Sequence, residues 1–330
     1  MKTSYLQVFV ILAAVSSGIY TTATITVSSS TTKQAKPSTD LYKYAKQWTV
    51  SGSSNSDKID TLDISLTGNV FMSYTDSLPK GVLGYLNVSG DSQTVVDAVT
   101  VTYKRFLNVS AAATQSGNVL TEILLSSSGE VAVLDCSRSA NVVIEDGVLV
   151  TSSSDAGLVI DISDSAAVYV STADAALSTN ALTVDVSENA SLQINAKSVS
   201  LGDVTVDVGG SASISVLTAS FKSADIVLDV ENGGAICIDA DEVTTGDYTI
   251  EGGSKISMPK ASNKLGSTGT FACDNSSVPV RELGFVTDSV SGSSMGTSGE
   301  APLEESSSHT LAEFKLKVLI FVGLTLLVTL

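Results

Sequence analysis

Seven acidic residues stand at a constant interval in this chain. Asp185, Asp207, Asp229 and Glu251 are evenly spaced, and Asp203, Asp225 and Asp247 repeat at the same interval. Carboxylates stacked ~5 Å apart, the spacing of neighbouring strands, have three chemistries open to them. As hard oxygen ligands they can bridge a divalent cation, which makes Ca²⁺ the one cofactor to consider. Two of them can act as acid and nucleophile on a glycosidic bond. Otherwise they repel each other by roughly 1 kcal/mol per pair in water and serve as solvated charges that keep foreign strands away. That last reading is the plainest.

The interval belongs to a repeat. LTVDVSENASLQI, VTVDVGGSASISV and IVLDVENGGAICI, followed by a degenerate YTIEGGSKISM, succeed one another between residues 182 and 258. Aligned, they give apolar columns: Leu182, Val204, Ile226 and Tyr248, then Val184, Val206, Leu228 and Ile250. Polar residues alternate with them, the pattern of a strand buried on one face. A second alternation carries Leu192, Ile214, Ile236 and Met258 in register, and a third register holds Val199, Phe221 and Val243. Each unit therefore reads as one coil of a parallel β-helix, and the expected fold is all-β, a single elongated solenoid with coils of about 22 residues. An earlier unit, LVIDISDSAAVYV, begins at Leu158, slightly more than one interval before Leu182, and DTLDISLTGNVFMSY at residues 60–74 already has the same shape. Between residues 83 and 133 the period blurs. Uniform winding from Asp60 to Met258 would give roughly nine coils. Asp146-Gly147, Gly209-Gly210, Asn232-Gly233 and Gly252-Gly253 fall between paired strands, where a tight reversal needs positive φ.

The two ends differ from this middle. Lys2, an apolar run from Leu6 to Val15 and small residues after it read as a secretory signal peptide over residues 1–23. Residues 24–58 read as a Ser/Thr-rich leader with no face to bury up to Asp40, followed by an N-terminal cap containing the only tryptophan, Trp48. The solenoid is assigned to 59–280, a Ser/Gly-rich stalk to 281–308, and a glycosylphosphatidylinositol attachment signal to 309–330. Val318–Leu330 is an apolar run, shorter than the ~20 residues a membrane span needs, behind a polar spacer and small residues. Ser306 is the expected attachment residue, with the cluster at Ser293, Ser294 and Gly296 as the alternative.

The chain carries 18 basic and 35 acidic side chains. Removing the two signals, with Lys2, Lys315, Lys317 and Glu313, leaves 15 and 34, a net charge of −19. Such a surface repels nucleic acid and suits cations and basic proteins. Sequons at Asn87, Asn108, Asn189 and Asn275 agree with secretion, and Asn189 falls at a turn where a glycan has room. Cys136, Cys237 and Cys273 are an odd number for an oxidising compartment; Cys273, in the segment after the repeats, is placed to reach back to Cys237.

Units such as VTVDVGGSASISV and IVLDVENGGAICI resemble the auto-transporter adhesin head domain family over residues 158–258. The resemblance implies a β-solenoid with a surface, adhesive role and no catalytic residues. The expected function is accordingly that of a secreted, lipid-anchored protein on the outer cell surface, engaging an extracellular protein or glycan and no nucleic acid. Two alternatives remain: a coat or spacer glycoprotein that binds nothing, and a β-helix enzyme that degrades polysaccharide. Against the enzyme, the three arginines, Arg105, Arg138 and Arg281, lie outside the regular units, and the single histidine, His309, lies in the tail signal. No phosphate loop, Cys/His metal cluster or nucleophile elbow is present in the sequence.

Overall fold

The computed structural model describes residues 24–281 apart from 37, 113–116 and 267. The chain divides into two units, Met1–Asp288 and Ser289–Leu330, and every described residue belongs to the first. The signal peptide, Ser306, the stalk beyond Arg281 and the C-terminal signal lie outside the described residues.

Strands β1 (Thr26–Ser29) and β2 (Lys33–Gln34) pair antiparallel with β3 (Tyr44–Ser51). The expectation of a structureless leader up to Asp40 is corrected here. An edge strand contributes backbone hydrogen bonds, which a Ser/Thr sequence supplies as well as an apolar one. β4 (Thr61–Tyr74) is the first coil, with Leu62, Ile64 and Leu66 fully buried at alternate positions.

After β4 the chain leaves the stack. β5 (Val82–Gly90), helix α1 (Gln93–Asp97), β6 (Val99–Tyr103), β7 (Leu107–Ala111) and β8 (Val119–Leu125) build a cap. β3, β5 and β8 run antiparallel in that order, β6 runs antiparallel to β7, and β7 and β8 lie parallel on one edge of β4. Trp48, 5% exposed, sits in this cap with the Lys46 ammonium 4.8 Å from its ring centroid. The blurred stretch of sequence is thus the device that closes the N-terminal end, where a bare coil would expose apolar interior and unpaired edges.

β9 (Val133–Glu145) takes the other edge of β4, placing Leu62 beside Leu134 and Met72 beside Ile144. From there β10 (Ser152–Ile162), β11 (Ala167–Val186), β12 (Ser191–Val208), β13 (Ser213–Leu217), β14 (Ser220–Val230), β15 (Ala235–Asp239), β16 (Glu242–Ile250) and β17 (Ile256–Ser257) wind a parallel stack. The solenoid makes about 5 turns with coils ~24 residues apart. The expectation of nine coils is corrected, because the residues between β4 and β9 are spent on the cap. Coils shorten along the stack, as the pairs Val133 with Val159, Leu158 with Leu182 and Val204 with Ile226 show. Within the step from β11 to β12 the shortening has a visible cause: Ala173, Asp174 and Ala175 occupy a corner that Lys197 alone fills one turn later.

The interior is a set of columns, one side chain per turn. Leu62, Leu134, Ile160, Val184, Val206, Leu228 and Ile250 form one; Ile64, Cys136, Ile162, Val186, Val208 and Val230 form the next. Branched side chains dominate because they pack against like neighbours at strand spacing, and each full burial contributes ~1.5–3 kcal/mol relative to exposure. Cys136, fully buried, is simply one rung of a Val/Ile column, which accounts for the odd thiol.

Each turn between the first and second faces of a coil places one residue in the left-handed region: Arg138, Asp164, Glu188, Gly210, Asn232 and Gly252. Arg138 and Glu188 carry no sequence signal, since neither belongs to the Gly, Asn and Asp that adopt this region readily. Backbone bonds tie the column together: Ser165 N donates to Arg138 O at 2.7 Å, Asn189 N to Asp164 O at 2.9 Å, Ser211 N to Glu188 O at 2.6 Å and Gly233 N to Gly210 O at 2.7 Å. The chain accepts strained φ there because each turn copies the backbone it rests on.

Candidate functional site

The first face of the coils carries the acidic residues, and the stack joins more of them than their spacing indicated. Asp63, Asp135, Asp161, Asp185, Asp207 and Asp229 occupy consecutive rungs in one unbroken row. Glu251 continues it at the end of β16, where its N–H donates to Leu228 O. Asp203, Asp225 and Asp247 form a second row at the corner. Between them runs a column of Thr205, Val227 and Thr249, so the outward face is a Thr/Val stripe flanked by carboxylates. The three added aspartates share a local signal, Leu-Asp-Ile-Ser, Leu-Asp-Cys-Ser and Ile-Asp-Ile-Ser, which a search by constant interval passes over.

Parallel stacking sets like charges ~4.8 Å apart. The carboxyls of Asp135, Asp185 and Asp207 are held above the ordinary aspartate range. Burial is the first cause in each case; Asp63 and Asp161 add to it for Asp135, Asp161 for Asp185, and Asp185 and Asp229 for Asp207. The row ends at the cap on an amide: Asn108 pairs with Asp63, and its Nδ2 donates to Asp63 Oδ2 at 2.6 Å. That carboxamide puts a donor where a further carboxylate would repel.

A straight row differs from a ligand cage. Ca²⁺ takes six to eight oxygens converging at 2.3–2.6 Å, whereas among the described residues no group of three or more His, Cys, Asp or Glu side chains is gathered closely enough to hold a metal ion. Asp185, Asp207, Asp229, Glu251, Asp203, Asp225 and Asp247 are therefore in line but do not converge.

The second face has a different surface. Its outward row reads Glu122, Phe71, Val143, Tyr169, Gln193, Ser215, Cys237 and Ser257, and residues 271–281 run along it as a strap. Ser257 Oγ donates to Phe271 O at 2.6 Å, Cys273 is bonded to Cys237 with Cα atoms 5.1 Å apart, and Val278 packs on a cluster of Tyr42, Phe71, Leu120 and Val143. Arg281 ends the strap: Nε and Nη2 reach Glu122 Oε1 at 2.9 and 2.8 Å, and Nη1 lies 3.5 Å from Glu145. Burial pushes the Glu122 carboxyl up, and Arg281 partly offsets it. This explains why Gln193, Ser215 and Ser257, outward by register, are buried. The disulfide expected between Cys237 and Cys273 is present; the reading of Arg281 as the start of a stalk is corrected, because its guanidinium, just past Val278, meets a buried carboxylate.

Two sequons sit differently from expectation. Asn87, 6% exposed in the middle of β5, has no room for a glycan, and Asn108 is half-buried and bonded to Asp63. Asn87 is withdrawn as an acceptor. Asn189, at the left-handed turn, and Asn275, on the strap, are exposed. A depression of about 500 Å³ at the cap is lined by Gln34, Ser38, Thr39, Asp40, Lys43 and Tyr44 and brings together one carboxylate and one ammonium, not a carboxylate pair.

No family model matches the chain, and no curated protein matches it. Among solved structures it is similar to a putative adhesin from Parabacteroides distasonis ATCC 8503, with a TM-score of 0.43 and 14% identity over 62% of this chain and 79% of that one. It is also similar to a putative adhesin from Bacteroides fragilis NCTC 9343, with a TM-score of 0.41 and 10% identity over 68% of this chain and 93% of that one.

Proposed function

We propose that this protein is a secreted, lipid-anchored cell-surface solenoid that recognises an extracellular protein or glycan and catalyses no reaction. The observation that carries the recognition reading is the first face: an uninterrupted Thr/Val stripe between two rows of carboxylates, in register over consecutive coils and left uncovered by the strap. A ligand for such a face is a surface, not a small molecule, and basic groups would complement its charge. The Cys237–Cys273 disulfide supports an oxidising compartment. The apolar C-terminal run behind a polar spacer supports a lipid anchor at Ser306.

Binding of the purified ectodomain to intact cells and extracellular matrix tests the recognition reading. The expected result is saturable binding that weakens with salt and falls at least tenfold when Asp185, Asp207 and Asp229 are all replaced by Asn. Binding at no tested surface would leave the spacer reading. Turnover of a polysaccharide by the same preparation, abolished by one Asp→Asn change, would overturn the non-catalytic reading. Release from cells by a phosphatidylinositol-specific phospholipase tests the anchor; a mature protein that retains Leu330 by mass spectrometry would rule it out.

A further inference from the structure

The strap crosses the coils at right angles to their strands, and its length matches its path. From Cys237 the outward row steps through Ser215, Gln193, Tyr169, Val143 and Phe71 to Glu122. Six strand spacings make ~29 Å. The chain from Cys273 to Arg281 spans at most ~26–29 Å when fully extended. The segment therefore runs extended between two attachments, one covalent and one ionic.

The two ends are held unequally. At Cys273 the attachment is a disulfide to the β15 rung. At the other end a single guanidinium meets Glu122, whose side chain is 3% exposed and whose second oxygen, Oε2, has no partner. The neighbouring Thr121 hydroxyl is likewise buried without a partner. Between the ends the strap adds no strand to the sheet and covers polar rungs at Ser215 and Gln193. The coils beneath it draw their hydrogen bonds from one another. Removing the guanidinium would leave a carboxylate enclosed with no counter-charge, a state relieved by admitting water under the strap.

We propose that residues 274–281 are a releasable strap: it opens from the Arg281 end as far as the Cys273 disulfide and uncovers the apolar cluster of Phe71, Leu120, Val143 and Tyr169 while the solenoid stays folded. This inference is independent of the recognition reading, since it concerns the second face and not the acidic one. Opening presents a second, apolar surface.

The test is a distance measurement on the full ectodomain carrying nitroxide labels at Val280→Cys and Ser139→Cys, both exposed positions, with Cys136 buried and the other two cysteines bonded. One narrow distance is expected for the parent protein and for Arg281→Lys. Arg281→Ala and Glu122→Gln are expected to give a broad, longer distribution with an unchanged thermal midpoint by far-ultraviolet circular dichroism. A distribution that stays narrow in both variants overturns the proposal. So does one that broadens only together with a fall in the midpoint, because strap and coils would then be a single unit.

Discussion

Asp63 and Asp135 are separated in the chain by the whole N-terminal cap and are immediate neighbours in the stack. Their pairing joins the first coil to the rest and makes one row of six aspartates out of what would otherwise be separate fragments. It also places the N-terminal cap outside the winding, on the far edge of β4, where Asn108 closes the row. Consequences for stability follow from which side of a strand each residue occupies.

Leu228 and Asp229 are adjacent, one 1% exposed in an inner column and the other outward in the acidic row. Leu228→Ala should lower stability by about 2–5 kcal/mol, the cost of a buried truncation that the stacked coils cannot collapse around. Asp229→Asn should leave stability unchanged or raise it, by removing one like-charge neighbour. Denaturant midpoints for the two variants check the register directly, and similar small effects would mean that it is wrong.

Lowering the pH should stabilise the folded protein. The folded-state carboxyls of Asp135, Asp185, Asp207 and Glu122 are raised above their ordinary values, so in the carboxylate range the native state binds more protons than the unfolded chain. Stability then falls as pH rises, since the slope follows protons bound in the unfolded minus the native state. The gain is complete below the unfolded aspartate value of about 3.9 and is lost as pH climbs through the raised folded values. Asp97, held low chiefly by the Thr32 hydroxyl, acts in the opposite sense. Thermal midpoints between pH 7 and 4 should rise toward acid, and Asp185→Asn with Asp207→Asn should flatten the slope. A midpoint that falls steadily from pH 7 toward acid would contradict the raised values of these four carboxyls.

Gly209 and Gly210 look equivalent in sequence and should respond unequally to alanine. At Gly210 φ is +66°, and a Cβ would come within 2.7–2.9 Å of the Glu188 backbone; at Gly209 nothing lies within 4 Å. Gly210→Ala should therefore cost more than about 1–2 kcal/mol, the left-handed penalty alone, while Gly209→Ala should be close to neutral. Chemical denaturation of the pair measures the contrast.

Glycan occupancy should follow exposure, not the mere presence of a sequon. Peptide mapping of protein from a eukaryotic secretory host should find glycan at Asn189 and Asn275 and none at Asn87, where a glycan would have to enter the middle of a sheet. Occupancy of Asn87 in folded material would show that β5 is not where it is placed here.

The repeat was legible in residues 158–258 because alternation with a nearly constant interval is a local property of the chain. Outward aspartates, the third register and the pairing of Cys237 with Cys273 appeared at their expected positions; the inner columns did so except at the last unit, where a shorter coil sets Ile256 and not Met258 beside Ile236, and Tyr248 is 51% exposed. The cap was not legible, since β5, β8 and β4 are brought together by antiparallel and parallel pairings whose partners have no fixed separation. The same limit hid Asp63 and Asp135 from the aspartate row: the unit at Leu158 already set Asp161 over Asp185, but the steps from Asp63 to Asp135 and from there to Asp161 differ in length and do not register as a period.

What the sequence determines by itself is therefore the coil: side chains alternate with a period of two, one unit follows another, and each buries the face its predecessor leaves open. What only the tertiary structure decides is how the coils end and what covers them. Phe71, Val143 and Glu122 are outward residues that become buried because Val278 and Arg281 return across six rungs to reach them. No alternation encodes that contact. It exists because a parallel stack brings residues far apart in the chain into one straight row, along which a single extended segment can lie.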